Sequence, residues 1–116
     1  MFLAAQIFAV IVSVLHLYFL ILEMFLWDKP KGIKVFGHSF EQAKNSKVLA
    51  MNQGLYNGFL CAGIIYGLVF NSFQILVFSL ICVLVAGIFG GLTVKKRIFF
   101  IQSVPALISL ILFQVS

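Results

Sequence analysis

Four long apolar stretches determine what this chain can fold into. They cover residues 2–27, 49–70, 73–93 and 98–115, and each is close to the roughly 20 residues that a helix needs to cross a ~30 Å hydrocarbon core. Backbone amides and carbonyls meet no water in lipid, so a spanning segment must satisfy them within an α-helix. The sequence therefore predicts an all-α protein, a bundle of four transmembrane helices in a single membrane domain over residues 1–116.

The composition agrees with a membrane environment. Hydrophobic residues make up 63% of the chain and charged residues 9%, whereas about a quarter of the residues in a soluble domain are charged. A soluble protein this apolar would expose large hydrophobic patches and aggregate. The first stretch has no basic residues before it and is too long for a signal peptide, so we expect it to be kept as a span.

The basic residues indicate an orientation. All eight lie in the predicted loops 28–48 and 94–97, which four alternating spans put on the same side of the membrane. They are Lys29, Lys31, Lys34, Lys44, Lys47, Lys95, Lys96 and Arg97. The positive-inside rule places both loops in the cytoplasm and both termini on the extracytoplasmic side of a multi-pass plasma-membrane protein. Charges confined to loops do not form a stripe that could follow phosphates, so no nucleic-acid partner is expected.

Polar residues align on one face of the first span. At about 100° per residue, five of them fall within an arc of roughly 100°: Gln6, Ser13, His16, Glu23 and Trp27. Glu23 is the only acidic residue in a predicted span, and a carboxylate at the bilayer centre costs about 2.5–3.5 kcal/mol. Glu23 either reaches the headgroups or a neighbouring helix, or forms with His16, two turns deeper, a proton path or a paired site.

A second polar cluster lies at the start of the second span, and a glutamine in the fourth span is at a similar depth. The predicted ligand-binding residues are Glu23, Trp27, Asn52, Gln53, Tyr56, Asn57 and Gln102. Each amide alone can serve as a contact between helices, but together they can orient a small ligand with a polar head. Glu23 and His16 are the candidates for catalysis, and no cofactor or metal ligand set is present in the sequence.

Other features predict packing. The third span contains Ala86, Gly87, Gly90 and Gly91 at small-xxx-small spacing, which allows close helix approach and gives a possible homo-oligomer seam. Cys61 and Cys82 are expected to act as small hydrophobic residues.

Two further patterns concern helix ends and helix shape. Ser39 and Gln42 fit a capping box, so the second helix is expected to begin near Phe40. Pro105 is expected to bend the fourth helix.

Several segments together resemble one bacterial family. They are Glu23-Met24-Phe25-Leu26-Trp27, Asn52-Gln53-Gly54-Leu55-Tyr56-Asn57-Gly58-Phe59-Leu60, Ala86-Gly87-Ile88-Phe89-Gly90, and Gln102 with Pro105-Ala106. The chain resembles, over nearly its whole length, the small four-helix membrane proteins catalogued as domain of unknown function thirteen-oh-four. This resemblance implies a plasma-membrane protein and supplies no reaction, because the family has no established activity.

Three functions are compatible with the sequence. The first is a site in the cytoplasmic half of the membrane that binds or acts on a small amphipathic or lipid-like ligand. The second is a proton-coupled transporter working as a homo-oligomer, which the one-sided loop charge disfavours relative to antiporters that insert in both orientations. The third is a non-catalytic membrane assembly subunit, in which the polar residues hold helices together. Whether the protein is an enzyme stays open.

Overall fold

The computed structural model describes residues 2–116, and over this range the chain is helical with no β-strand. The elements are α1 (Phe2–Met24), α2 (Pro30–Phe36), α3 (Phe40–Asn45), α4 (Lys47–Val69), α5 (Phe73–Thr93), α6 (Lys96–Ile98), a π-helical turn (Phe99–Ser103) and α7 (Val104–Gln114). The predicted all-α fold is confirmed.

Four helices are long and apolar enough to cross a membrane. They are α1, α4, α5 and the continuous segment Lys96–Gln114. The prediction of four membrane helices is therefore confirmed, while the side on which the termini lie stays a prediction. α1 ends at Met24, before the predicted limit of residue 27, because the chain turns at residues 25–29, where Lys29 N–H donates to the Leu26 carbonyl at 3.0 Å.

The chain divides into two compact units, and α1 and α4 contribute residues to both. One unit is formed by residues 2–14 with Leu60–Ser116, and the other by Leu15–Phe59. The first unit has an apolar core of alanines, branched aliphatic side chains and one phenylalanine: Ala5, Ala9, Val12, Ile64, Leu76, Leu80, Val83, Ala106 and Phe113. The buried Ser109 hydroxyl donates to the Ala5 carbonyl at 2.8 Å. This bond satisfies the hydroxyl, for which the apolar surroundings offer no acceptor.

The last span of this unit changes helix type instead of continuing as a regular α-helix. A π-helical turn covers Phe99–Ser103, and Pro105 lies in the first turn of α7, where its missing N–H costs little. Ser103 Oγ donates to the Leu84 carbonyl at 2.7 Å. A Cβ at Gly87 would lie 2.1 Å from this hydroxyl oxygen, so only glycine at position 87 permits the contact without a shift.

In the Leu15–Phe59 unit, the first loop is folded into two short helices. The capping box is confirmed, since Gln42 N–H donates to Ser39 Oγ at 3.1 Å and Ser39 N–H donates to Gln42 Oε1 at 3.0 Å. A helix does begin at Phe40, but it ends at Asn45. The expectation that the second spanning helix begins near Phe40 is therefore wrong, because Ser46 leaves helical geometry (φ −107°, ψ 9°) and separates α3 from α4.

Candidate functional site

The centre of the candidate site is a hydrogen bond between α1 and α4. The Asn57 side-chain amide donates to Glu23 Oε1, and both side chains are buried, with 8% of Glu23 and 7% of Asn57 exposed. A carboxyl group within a membrane span needs such a donor, because an unsatisfied polar group in an apolar environment costs several kcal/mol. The sequence predicted both residues for the site, and the structure brings them into direct contact.

Glycines in α4 allow the two helices to come this close. A Cβ at Gly54 would lie 2.6 Å from Met24 Cγ and 3.1 Å from Glu23 Cβ, and one at Gly58 would lie 2.7 Å from Leu20 Cδ1. Sequence reasoning assigned these glycines no role. Their spacing could have predicted the contact, since Gly54 and Gly58 are four residues apart, as in the small-xxx-small patterns that permit close helix packing.

Three further candidate residues lie on the surface of α4. We call Asn52, Gln53 and Tyr56 the amide face; all three are exposed, and 52% of Tyr56 is accessible. Gln53 comes one helical turn before Asn57 and therefore lies on the same flank of α4 as the buried pair. The amide face thus exposes polar groups within a spanning helix, directly beside the Glu23–Asn57 bond.

His16 is completely buried in the same unit, two turns before Glu23 on α1. Its ring packs edge-on against Phe19, with the ring centroids 5.7 Å apart. The structure therefore places His16 inside the packed helices, and its predicted part in a proton path with Glu23 stays a prediction.

Trp27 contacts the first loop, and its predicted part in the ligand site stays a prediction. Its Nε1 donates to Ser46 Oγ at 3.0 Å, and its ring lies 4.8 Å from that of Phe36 and 4.4 Å from that of His38. His38 Nε2 also lies 3.3 Å from the Trp27 carbonyl oxygen. Sequence reasoning missed Ser46 and His38 as partners, because both contacts depend on how the loop folds back.

An ion pair closes the same loop. Lys47 Nζ lies 3.2 Å from Asp28 Oδ2, and the hydrogen bond from Lys47 lowers the pKa of Asp28 below its ordinary value. This contact joins the residues that flank the short helices α2 and α3. The loop between the first two spans is therefore fixed at its ends by the Trp27–Ser46 and Asp28–Lys47 contacts.

The remaining predicted residues lie in the other compact unit. Gln102 belongs to the π-helical turn, where its Cβ would be 3.0 Å from a Cβ at Gly87, and its membership of the ligand site stays a prediction. Gly87, Gly90 and Gly91 make close contacts to residues 98–103 of the same chain. Ala86 is exposed, and the predicted homo-oligomer through these four positions stays a prediction.

Comparisons with known proteins identify one family and one relative for this chain. The family model described as "Protein of unknown function (DUF1304)" matches residues 10–114, which include every candidate site residue. The "Uncharacterized protein YpaA" of Lactococcus lactis subsp. lactis (strain IL1403) is 32% identical over 109 residues, covering 90% of this chain and 92% of the relative. No solved structure matches the chain.

Proposed function

We propose, for a chain that belongs to the DUF1304 family of proteins of unknown function, that residues 15–59 bind the polar head of an amphipathic, lipid-like ligand. The observation that carries this proposal is the buried Glu23–Asn57 pair beside the exposed amide face. We further propose that the protein resides in a bacterial plasma membrane, with loops 28–48 and 94–97 in the cytoplasm, so the ligand comes from the cytoplasmic leaflet.

The hydrogen-bonding groups define the ligand chemistry. Asn57 donates to Glu23 Oε1, and the proposal assigns the other carboxyl oxygen, Oε2, to the ligand. This oxygen is an acceptor for a hydroxyl or amine of the ligand head. Gln53 and Asn52 supply both donors and acceptors, and Tyr56 supplies a phenol on a broad apolar ring. A head with at least one donor and one acceptor can bind Glu23 Oε2 and one side chain of the amide face at the same time.

The exposure of the amide face supports lateral entry from the bilayer. Carboxamides that face hydrocarbon lose their hydrogen bonds to water, and a bound polar head restores them. The apolar body of the ligand meanwhile stays in lipid, so the protein does not need a deep cavity for it. Binding at this surface therefore uses the bilayer as part of the site.

The proposal is tested with two oleoyl probes that share one chain. Monooleoylglycerol carries two hydroxyl donors, and methyl oleate carries none. We expect monooleoylglycerol, and not methyl oleate, to raise the midpoint of thermal unfolding of the protein in phosphatidylcholine nanodiscs. Ligands that bind only the folded state raise apparent stability in this way.

The informative variant is Glu23→Gln. Its amide oxygen still accepts from Asn57, so the helix contact is kept. The substitution replaces the acceptor Oε2 by an N–H donor, and the loss of a hydrogen bond worth about 1 kcal/mol should lower the apparent affinity for monooleoylglycerol about fivefold. Glu41→Gln, at an exposed carboxyl in α3, is the matched control and should leave the affinity unchanged. Equal shifts from both probes, or an unchanged affinity in Glu23→Gln, would overturn the proposal.

A further inference from the structure

A groove lies between the end of α5 and the segment that follows it, in the unit that does not contain the proposed ligand site. Its volume is about 280 Å³, and all but one of the residues that line it are apolar or glycine. The lining residues are Ile88, Gly91, Leu92, Lys96, Phe99 and Phe100. The groove therefore has an apolar wall with a single cation.

The local backbone explains why the groove exists. The Gly90 carbonyl accepts from the amides of both Val94 (2.9 Å) and Lys95 (3.2 Å), which closes the turn after α5. Gly91 has no side chain to fill the space, and a Cβ there would lie 2.7 Å from Phe99 Cβ. The π-helical turn begins at Phe99, and such turns often occur at functional sites because they alter the direction of side chains.

Lys96 lies at the junction of two candidate spans. α5 ends at Thr93 and the last candidate span begins at Lys96, which is exposed, and the ends of membrane spans are where lipid headgroups are met. Lys95 and Arg97 flank it in the sequence and add to the positive charge. Basic pockets next to membrane helices recognise the phosphates of anionic lipids.

We propose that this groove binds one anionic phospholipid. The first part of an acyl chain lies along Ile88, Leu92 and Phe100, and the phosphate is bound by Lys96. The occupant is a lipid and not a soluble anion, because nearly all of the lining surface is apolar and only its rim is charged. This inference uses none of the residues of the proposed ligand site, so either proposal can fail without the other.

The test is native mass spectrometry of the delipidated full-length protein. Phosphatidylglycerol, phosphatidylcholine and glycerol 3-phosphate are titrated separately, the two lipids with identical acyl chains. We expect one tightly held phosphatidylglycerol per chain and weaker binding of phosphatidylcholine. Lys96→Gln should lower the affinity for phosphatidylglycerol about fivefold, since a basic residue near an anionic surface contributes on the order of 1 kcal/mol.

Two further variants separate the groove from general charge attraction. Lys44→Gln removes the same charge at an exposed position outside the groove and should leave phosphatidylglycerol binding unchanged. Leu92→Trp places a larger side chain at a position that is 83% exposed, so folding is preserved while the groove is filled, and binding should fall. Equal effects of Lys96→Gln and Lys44→Gln, equal binding of both lipids, or tight binding of glycerol 3-phosphate would overturn the proposal.

Discussion

Asn57 and Glu23 are joined by a hydrogen bond between α4 and α1, and both are buried in the folded chain. The bond explains how a carboxyl group is kept within a membrane helix. It also makes Asn57 the residue on which the position of Glu23 depends. The amide face lies beside the pair. On one helix, Asn57 therefore holds the carboxyl group, while the neighbouring polar side chains are exposed on the surface.

Removing the donor should destabilise the protein. Asn57→Leu leaves the Glu23 carboxyl buried without its partner, and we expect the free energy of unfolding in mixed detergent micelles to fall by about 1–3 kcal/mol. Asn52→Leu is the matched control, because it removes the same amide from an exposed position. The control should change stability by less than about 0.5 kcal/mol. Equal losses in both variants would show that the buried bond has no special role.

A double substitution tests the same bond from the other side. When both partners of a buried hydrogen bond are replaced by apolar groups of similar shape, the free energy of unfolding changes little, because no polar group is left unpaired. We therefore expect Glu23→Leu/Asn57→Leu to be more stable than the sum of the two single changes by at least about 1 kcal/mol in a double-mutant cycle. Strict additivity would contradict a direct interaction.

The packing of α2 depends on the absence of a side chain at Gly32. A Cβ there would lie 2.0 Å from the Leu26 carbonyl oxygen, which is backbone and cannot move aside cheaply. We expect Gly32→Ala to displace α2 and to speed tryptic cleavage after Lys31 and Lys34 severalfold. Cleavage rates at these two sites, followed by mass spectrometry, check this expectation.

The control for this experiment acts on the neighbouring helix. Ser39→Ala removes the cap of α3, which is worth about 1 kcal/mol. It should speed tryptic cleavage after Lys44, while the cleavage rates after Lys31 and Lys34 should stay as low as in the parent protein. If each variant speeds cleavage at all three lysines equally, α2 and α3 unfold as one unit, and this result would contradict a separate role of Gly32.

The Asp28–Lys47 contact gives the first loop a pH dependence. The pKa of Asp28 is lowered in the folded state, mainly by its hydrogen bond with Lys47. Its stabilising effect is therefore fully present above the ordinary pKa of an aspartate and is lost as the pH falls through the lowered value. We expect the protection of amides in residues 25–46, which is the exchange rate corrected for its intrinsic pH dependence, to fall modestly as the pH drops below the ordinary pKa of an aspartate. Asp28→Asn should abolish this dependence, and a persisting dependence would assign it to another group.

Cysteine labelling tests the orientation that the basic loops predict. In a background with Cys61→Ser and Cys82→Ser, the variant Ser39→Cys should react with a membrane-impermeant maleimide only after the cells are opened. Ser116→Cys should react in intact cells. The reverse labelling pattern would place the basic loops outside the cell and would contradict the orientation that the positive-inside rule predicts.

Much of the architecture was predictable, because the bilayer imposes length and composition on each span. The capping box at Ser39 was also predictable, since its two hydrogen bonds connect residues that are close in sequence. The break at Ser46 was not predictable, because no sequence pattern marks it and the contact of Ser46 with the Trp27 indole joins residues that are distant in sequence.

The candidate site was predictable in part. Helical periodicity put Glu23 on a polar face, and the cost of a buried carboxyl required a partner. Four polar residues at the start of α4 were equal candidates for that partner. Only the packing of Gly54 and Gly58 against α1 selects Asn57 and leaves Asn52, Gln53 and Tyr56 on the surface. Such choices between neighbouring side chains depend on helix rotation, which composition does not determine.

The most direct test of the proposed ligand site is to locate a bound amphiphile on the chain. Monooleoylglycerol with a diazirine next to its head is photolysed with the protein in phosphatidylcholine nanodiscs, and the labelled residues are identified by mass spectrometry. We expect labels concentrated within residues 52–57, reduced about fivefold in Glu23→Gln and unchanged in Glu41→Gln. Labels spread evenly over all four spans, or labels within 52–57 that Glu23→Gln leaves unchanged, would contradict the proposed site.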